Sequence, residues 1–420
     1  MAFPTDATLY SNISNTLKEV WTSEEIERQL GFSSDILNII PTKKGINEVG
    51  KYAIVPIETR GNVQSVARNE GEALGEPGLS TEKQAQYQFK SLYIQFQLSG
   101  QAIAASSTSK QAIADQVTRQ PKVAIRDFAS DVSRQVYGNI YGSGIIARCG
   151  ASGPSTTVAL EPRTGWSAIR SGQLAVGMYV DIGTTGDSDT IVAKSKITGI
   201  TRSKTAPAIV ISDSVTVTSA AYVSVWLNRS RSDGTSKELT SLNAICAATG
   251  TVGGLDTSTT PEWFGTYAGN SGTLRSISND ILLSAYNDAW QYGYEPDVVT
   301  TTQQVRQKYY TSVFQPLVQY VDPAGKESGA GFHSQKAVQF EGAPVITDRM
   351  CPASQLFMFS KDQLAFYSPN GKKTPEWMPG VNGILNRVSG YDAYQADAFI
   401  YMDLGTSNRA GNVLVDDVSE

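Results

Sequence analysis

The apolar and polar positions of this chain change period several times, and each change predicts a different element. Tyr52-Ala53-Ile54-Val55-Pro56-Ile57 is an apolar run suited to a strand. Leu92, Ile94, Phe96 and Leu98 then alternate with Tyr93, Gln95 and Gln97, the period of two that marks a half-buried strand. The stretch from Gly50 to Gln101 thus predicts a strand going out, a long polar tract and a strand coming back. Between Thr59 and Gln86 there is no aromatic residue. The tract carries Gly61, Gly71, Gly75, Pro77 and Gly78 among the charges Arg60, Arg68, Glu70, Glu72, Glu76, Glu82 and Lys83. A loop of this length with no structure of its own is rare in a compact domain unless it has a job. A lone subunit gains little from such an arm, so its charges are expected to meet a neighbour.

Helical spacing precedes and follows this excursion. Thr22 and Glu25 make a capping box, with Ile26 and Leu30 sharing one face, and Pro41 and Gly45 end that arm. From Ser106, Ile113 and Val117 share a face, and Ile125, Phe128, Val132 and Val136 recur at helical intervals. Pro121 between the two sets predicts a kink or a short helix leading into a longer one, closed by Gly138. From about Val158 to Leu227 the pattern reads as all β, with Met178, Val180 and Ile182, then Ile209 and Ile211, then Val223, Val225 and Leu227. Its turn-rich flanks predict an insertion that folds on its own. Leu274, Ile277, Ile281 and Ala285 predict a helix ending near Gly293; Val298-Val299 predicts a strand, and Thr300 to Thr302 the cap of a helix carrying Val305 and Tyr309. The remainder, 343–347, 356–359, 364–367 and 399–404, reads as strands.

Composition narrows the classes. Charged residues make up 18% of the 420, below the usual quarter, which suits a chain whose surface is covered by other subunits. The net charge of -5 leaves no basic footprint for tight nucleic-acid binding. The cysteines Cys149, Cys246 and Cys351 match neither a disulfide framework nor a zinc spacing, as expected of assembly in a reducing compartment. No apolar run reaches the length of a membrane span, and the start has no secretory pattern.

The search for chemistry returns little. His333, the single histidine, lies in a Gly- and Ser-rich stretch and reads as a surface residue. No phosphate loop, dinucleotide fingerprint or nucleophile elbow occurs, and no cofactor or metal is expected. Asp181, Asp187 and Asp189 read as a solvated turn lacking the glycine and terminal glutamate of a calcium loop. Trp166, Trp226, Trp263, Trp290 and Trp377 share no spacing and read as packing residues. Three classes stay in view: a self-assembling structural protein, a β-rich binding or adhesion protein, and a hydrolase with unframed carboxylates.

The order of parts resembles the major capsid proteins of tailed bacteriophages, the Hong Kong 97 type. Tyr294-Glu295-Pro296-Asp297-Val298-Val299-Thr300 with the helix after it looks like that family's axial segment, in which a buried strand feeds a helix. Gly342-Ala343-Pro344-Val345-Ile346, with Cys351-Pro352 and Leu356-Phe357-Met358-Phe359, looks like its Gly-x-Pro-Val strand and returning partner. The resemblance implies an α+β fold with an N-terminal arm at 1–45, an extended β loop at 46–100, and a spine helix and peripheral domain at 101–157. An inserted β-barrel-like domain at 158–228 departs from the minimal family fold; an axial domain at 229–340 and returning strands at 341–420 complete the chain. It further implies a non-enzymatic shell protein of homo-hexamers and homo-pentamers around double-stranded DNA that it does not bind specifically. The expected location is the virion, after assembly in the host cytoplasm, with no membrane contact. A portal and a decoration protein are the expected partners. With Met1 as the start, no coiled-coil segment precedes the arm, and a separate scaffolding protein is expected. The intersubunit contacts are expected from Arg60, Arg68, Glu70, Glu72, Glu76, Glu82 and Lys83 of the loop.

Overall fold

A computed structural model describes residues 36–44, 48–49, 52–62, 67–72, 78–107, 116–150, 152–184, 190–217, 223–227, 230–232, 235–292, 294–314, 338–379 and 384–420. The arm helix around Thr22 to Leu30, His333 and Glu76 lie outside these residues.

A hairpin pairs Tyr52–Arg60 with Thr81–Gln88, the short Glu48–Val49 strand lying beside it. The partner of the outgoing strand is therefore Thr81–Gln88, drawn from the tract expected to lack structure. Its buried side holds only Ala85 and Tyr87, while Glu82, Gln84, Gln86 and Gln88 point outward, so its period of two is carried by small and polar residues. The run Lys90–Ser99, expected to close the hairpin, instead pairs over its whole length with the strand Ala393–Thr406. That long strand organises a second sheet, taking Leu364–Ser368, Glu376–Trp377 and Asn386–Arg387 as further partners.

A short helix, Gly100–Ser107, precedes the long Gln116–Tyr137 helix, which contains Pro121. Phe128, Val132 and Val136 are buried and join one core with Leu92, Phe366, Ile400 and Leu404. Gly138 ends the helix with a φ of 67°, its N–H donating to the Arg134 carbonyl at 2.9 Å. Burial deepens toward this end, where Arg134 makes a bidentate pair with Glu238 at 2.7 and 3.0 Å, both residues at most 5% exposed.

The β-rich stretch forms a six-stranded sheet in the order Ile145–Arg148, Val223–Leu227, Tyr179–Thr184, Thr190–Thr201, Ala208–Val217, Ser152–Ala159. A bridge between Cys149 and Leu160 joins its first and last strands, so the sheet curls back on itself around Val158, Ile182, Ile209 and Val225. The all-β expectation misses a helix, Pro162–Ser171, in which Pro162, Gly165 and Ser167 mask helical spacing. Arg163 on that helix binds both Asp416 and Asp417, and Arg170 binds Glu420 at 2.9 Å, tying the unit to the chain's C-terminal strand end. Asp181, expected in a solvated turn, is buried within the Tyr179–Thr184 strand.

A third sheet runs Thr266–Ala268, Val413–Val415, Leu356–Phe359, Val298–Thr301, Ala343–Thr347, Gln339–Phe340. Val298–Thr301 is buried along its length and feeds the helix Gln303–Tyr309, whose cap is Thr302 accepting from Val305 N–H. The helix expected from Leu274 starts later: Ser278 caps Asn279–Gln291, and Leu274 stays 54% exposed. Here the Ser hydroxyl, which accepts from Ile281 N–H, fixes the start more firmly than the apolar spacing upstream.

Candidate functional site: a two-faced hairpin

The hairpin's two faces differ because side chains of paired strands alternate between them. On one face, Ala53 lies opposite Tyr87, Val55 opposite Ala85 and Ile57 opposite Lys83. Ala53, Ala85 and Tyr87 are buried against the subunit's own body. Tyr87 stacks on Tyr367, and its hydroxyl donates to the Thr406 carbonyl at 2.8 Å while accepting from Thr406 N–H at 3.1 Å. Burial pushes the Tyr87 hydroxyl pKa well above its ordinary value, so it remains a donor. Gln86 N–H donates to the Gly253 carbonyl at 2.7 Å, a close approach of two backbones. Gly253 has a φ of 59°, and a Cβ there would sit 3.0 Å from that of Ala85. Further out, the Lys83 ammonium donates to the Thr259 carbonyl at 3.2 Å and to the Thr260 hydroxyl.

The opposite face carries Ile54 across from Gln86, Pro56 across from Gln84 and Glu58 across from Glu82. Pro56, Glu58, Glu82, Gln84, Gln86 and Gln88 are all exposed. Beyond the paired strands, Glu72 closes a local turn: its carboxylate accepts from Asn69 N–H at 3.1 Å and from the Asn69 amide at 3.0 Å. Those bonds, the backbone one first, hold the Glu72 carboxyl below its usual range. Gly71 inside this turn takes a φ of 84°, a conformation that favours glycine.

The charges singled out from sequence therefore fall into separate roles. Arg60, Arg68 and Glu70 are exposed, and none of their side chains has a hydrogen bond or ion pair among the described residues. Glu72 is engaged by Asn69, and Lys83 by Thr259 and Thr260 of its own chain. Glu82 stands opposite Glu58, a residue that sequence reasoning left out together with the outward Gln84, Gln86 and Gln88. The alternation of these glutamines with Ala85 and Tyr87 was the available signal.

The fold of these elements is that of the Hong Kong 97-type capsid proteins, to which the curled β unit is an addition, as the solved structures that match it show. No protein-family model and no curated protein sequence matches the chain. Solved structures do match it from end to end. A chain of the cyanophage A-1(L) capsid asymmetric unit aligns with a TM-score of 0.59 at 14% identity, covering 98% of this chain and 99% of that one. A chain of the capsid of a native GTA particle aligns with a TM-score of 0.51 at 9% identity, covering 99% and 100%.

Proposed function

We propose that this chain is the structural major capsid protein of a tailed phage, assembling into hexamers and pentamers of an icosahedral shell around double-stranded DNA. The observation that carries this reading is the end-to-end alignment with the cyanophage A-1(L) capsid chain, whose coverage leaves almost no residue of either chain unmatched. The hairpin supports it. One face is fastened to the subunit and the other presents a free polar strip, as expected of an element that reaches a neighbour. Arg60, Arg68, Glu70 and Glu82 are the predicted loop charges available to such a contact, while Glu72 and Lys83 serve the loop's own geometry. The role is mechanical rather than enzymatic, and copies join by heterologous contacts that close into rings. The net charge of -5 suits a shell that encloses DNA without gripping it, since phosphate binding calls for clustered Lys and Arg. A scaffolding protein, a portal and a decoration protein are the partners this role entails, and the virion is its place. The inserted unit in this reading begins at Ile145, where the curled sheet begins, rather than at Val158.

Electron microscopy of the purified protein, alone and co-expressed with the scaffolding protein of the same phage, tests the reading. Shells, tubes or rings are expected; a monodisperse monomer under both conditions would overturn it.

A further inference from the structure

The turn Ser368-Pro369-Asn370-Gly371 follows the strand Leu364–Ser368 and is closed by Gly371 N–H donating to the Ser368 carbonyl at 3.0 Å. Asn370 and Gly371 are both exposed, and Gly371 takes a φ of 64°, the left-handed conformation that favours glycine. With no Cβ on Gly371, little shields its backbone nitrogen from the side chain before it. The Asn370 amide has no hydrogen bond among the described residues. The amides of Asn69, Asn139, Asn243, Asn270 and Asn412, by contrast, are each held by a carboxylate or carbonyl oxygen. Asn370 is also the one asparagine followed by glycine among the described residues, Asn382-Gly383 lying outside them.

This turn sits between two contacts that hold the segment 36–44 on the subunit. Before it, Ser368 is in register with Lys44, at the end of a parallel pairing of Thr42–Lys44 with Phe366–Ser368. After it, the Lys373 ammonium donates to the Leu37 carbonyl at 2.7 Å and to the Ile40 carbonyl at 3.5 Å. Ile36 and Ile40 are fully buried. The reach of the backbone from Ser368 to Lys373 therefore decides whether both contacts on this strap are made together.

We propose that Asn370 is a site of spontaneous modification, converting with time to isoaspartate and thereby loosening the 36–44 strap. The Gly371 backbone nitrogen loses its proton and attacks Asn370 Cγ. The new N–Cγ bond closes a succinimide ring, the Cγ–Nδ2 bond breaks, and Nδ2 takes up a proton and leaves as ammonia. Water then opens either ring carbonyl, giving aspartate or isoaspartate with no change of oxidation state. The attack needs the Gly371–Ser368 hydrogen bond to open, and this is a lone turn bond whose donor residue is exposed. Isoaspartate places the side chain's methylene in the main chain. The backbone between Ser368 and Lys373 lengthens, and Lys373 loses its fit to the two carbonyls. This chemistry belongs to the single subunit, so its test does not depend on shell assembly.

Ageing of the full-length protein in water enriched in heavy oxygen tests the site. Wild type, Asn370→Gln and Asn370→Asp are held in warm, mildly alkaline buffer, with circular dichroism confirming that each stays folded. Digests are read by mass spectrometry with fragmentation that separates isoaspartate from aspartate. Conversion at Asn370, with heavy oxygen incorporated, should run about tenfold or more faster than at Asn69, Asn139 or Asn270. Hydrogen exchange at 36–44 should quicken by about tenfold in converted wild type and stay slow in aged Asn370→Gln and in fresh Asn370→Asp. An Asn370 amide that lasts as long as those of Asn69, Asn139 and Asn270 would overturn the modification. Unchanged exchange at 36–44 in converted protein would overturn its link to the strap. Equally fast exchange in fresh Asn370→Asp would assign the loosening to charge and overturn the backbone account.

Discussion

Tyr87 lies flat on Tyr367, ring centroids 5.6 Å apart and planes within 4° of parallel, and this contact fixes the base of the hairpin. The ring comes from the next-to-last residue of a strand whose neighbours Gln86 and Gln88 are exposed, so one aromatic side chain, with the small Ala85 beside it, anchors an otherwise polar segment. Gly405 makes the fit possible, since a Cβ at that position would come within 2.8 Å of both tyrosine rings.

Removing the hydroxyl separates its role from that of the ring. Tyr87→Phe leaves the Thr406 N–H and carbonyl without their buried partner and should cost about 1–3 kcal/mol. Tyr87→Ala also opens a cavity and should cost about 3–5 kcal/mol. Denaturant unfolding measures both, and hydrogen exchange should show protection at residues 85–88 falling further in the alanine variant.

Among the described residues, Arg409 is the largest fully buried side chain and makes no ion pair. Its guanidinium instead donates to the carbonyls of Ala244, Ile245, Ala247, Gly250 and Trp263, at 2.7–3.1 Å. Three of these carbonyls belong to the end of the Leu242–Cys246 helix, where a cation complements the helix dipole. Lysine cannot span that fan of acceptors, so Arg409→Lys should lose about 3 kcal/mol or more, read as a lower midpoint in urea unfolding.

Asp403 gives the subunit a pH dependence of defined sign. Its carboxylate is buried and accepts from Thr240 N–H at 2.8 Å, the Thr240 hydroxyl at 3.1 Å and Leu404 N–H at 2.9 Å. Burial outweighs these bonds and pushes its pKa up to about 6. A pKa raised above the unfolded value of about 3.9 means a contribution complete below that pH and lost as pH rises through about 6. The difference amounts to about 3 kcal/mol. Asp403→Asn removes it, so the stability of the variant relative to wild type should improve by about that amount between pH ~4 and pH ~7. Urea unfolding of both proteins across this range checks the prediction; a difference independent of pH would contradict it.

Long apolar repeats made the Gln116–Tyr137 helix and the Val298–Thr301 strand legible. Phe128, Val132 and Val136 fall on the buried side of Gln116–Tyr137, and Val298–Thr301 with its Thr302 cap lies where the pattern put it. Patterns hidden by small or polar residues were not legible. Thr81–Gln88 buries only Ala85 and Tyr87, and its outward glutamines and glutamate look like loop residues. Pro162–Ser171 buries Thr164, Gly165 and Ser167 along with Ala168 and Ile169, so its helical face is weakly apolar. The candidate site was half legible. Its charges could be counted in the sequence, but the partner that holds Lys83 lies 176 residues away, and the opposition of Glu58 to Glu82 depends on a register that polar residues do not announce.

On the function proposed above, the subunit builds a shell by laying its hairpin on a neighbour. Replacing residues 61–80 with a two-residue turn links Arg60 to Thr81, which already face each other, and spares the buried contacts of Ala85 and Tyr87. Sedimentation velocity and electron microscopy of this variant beside wild type give the most direct measurement. The predicted result is closed shells from wild type and a folded subunit that forms no shells from the variant; shells of normal size from the shortened protein would contradict the claim.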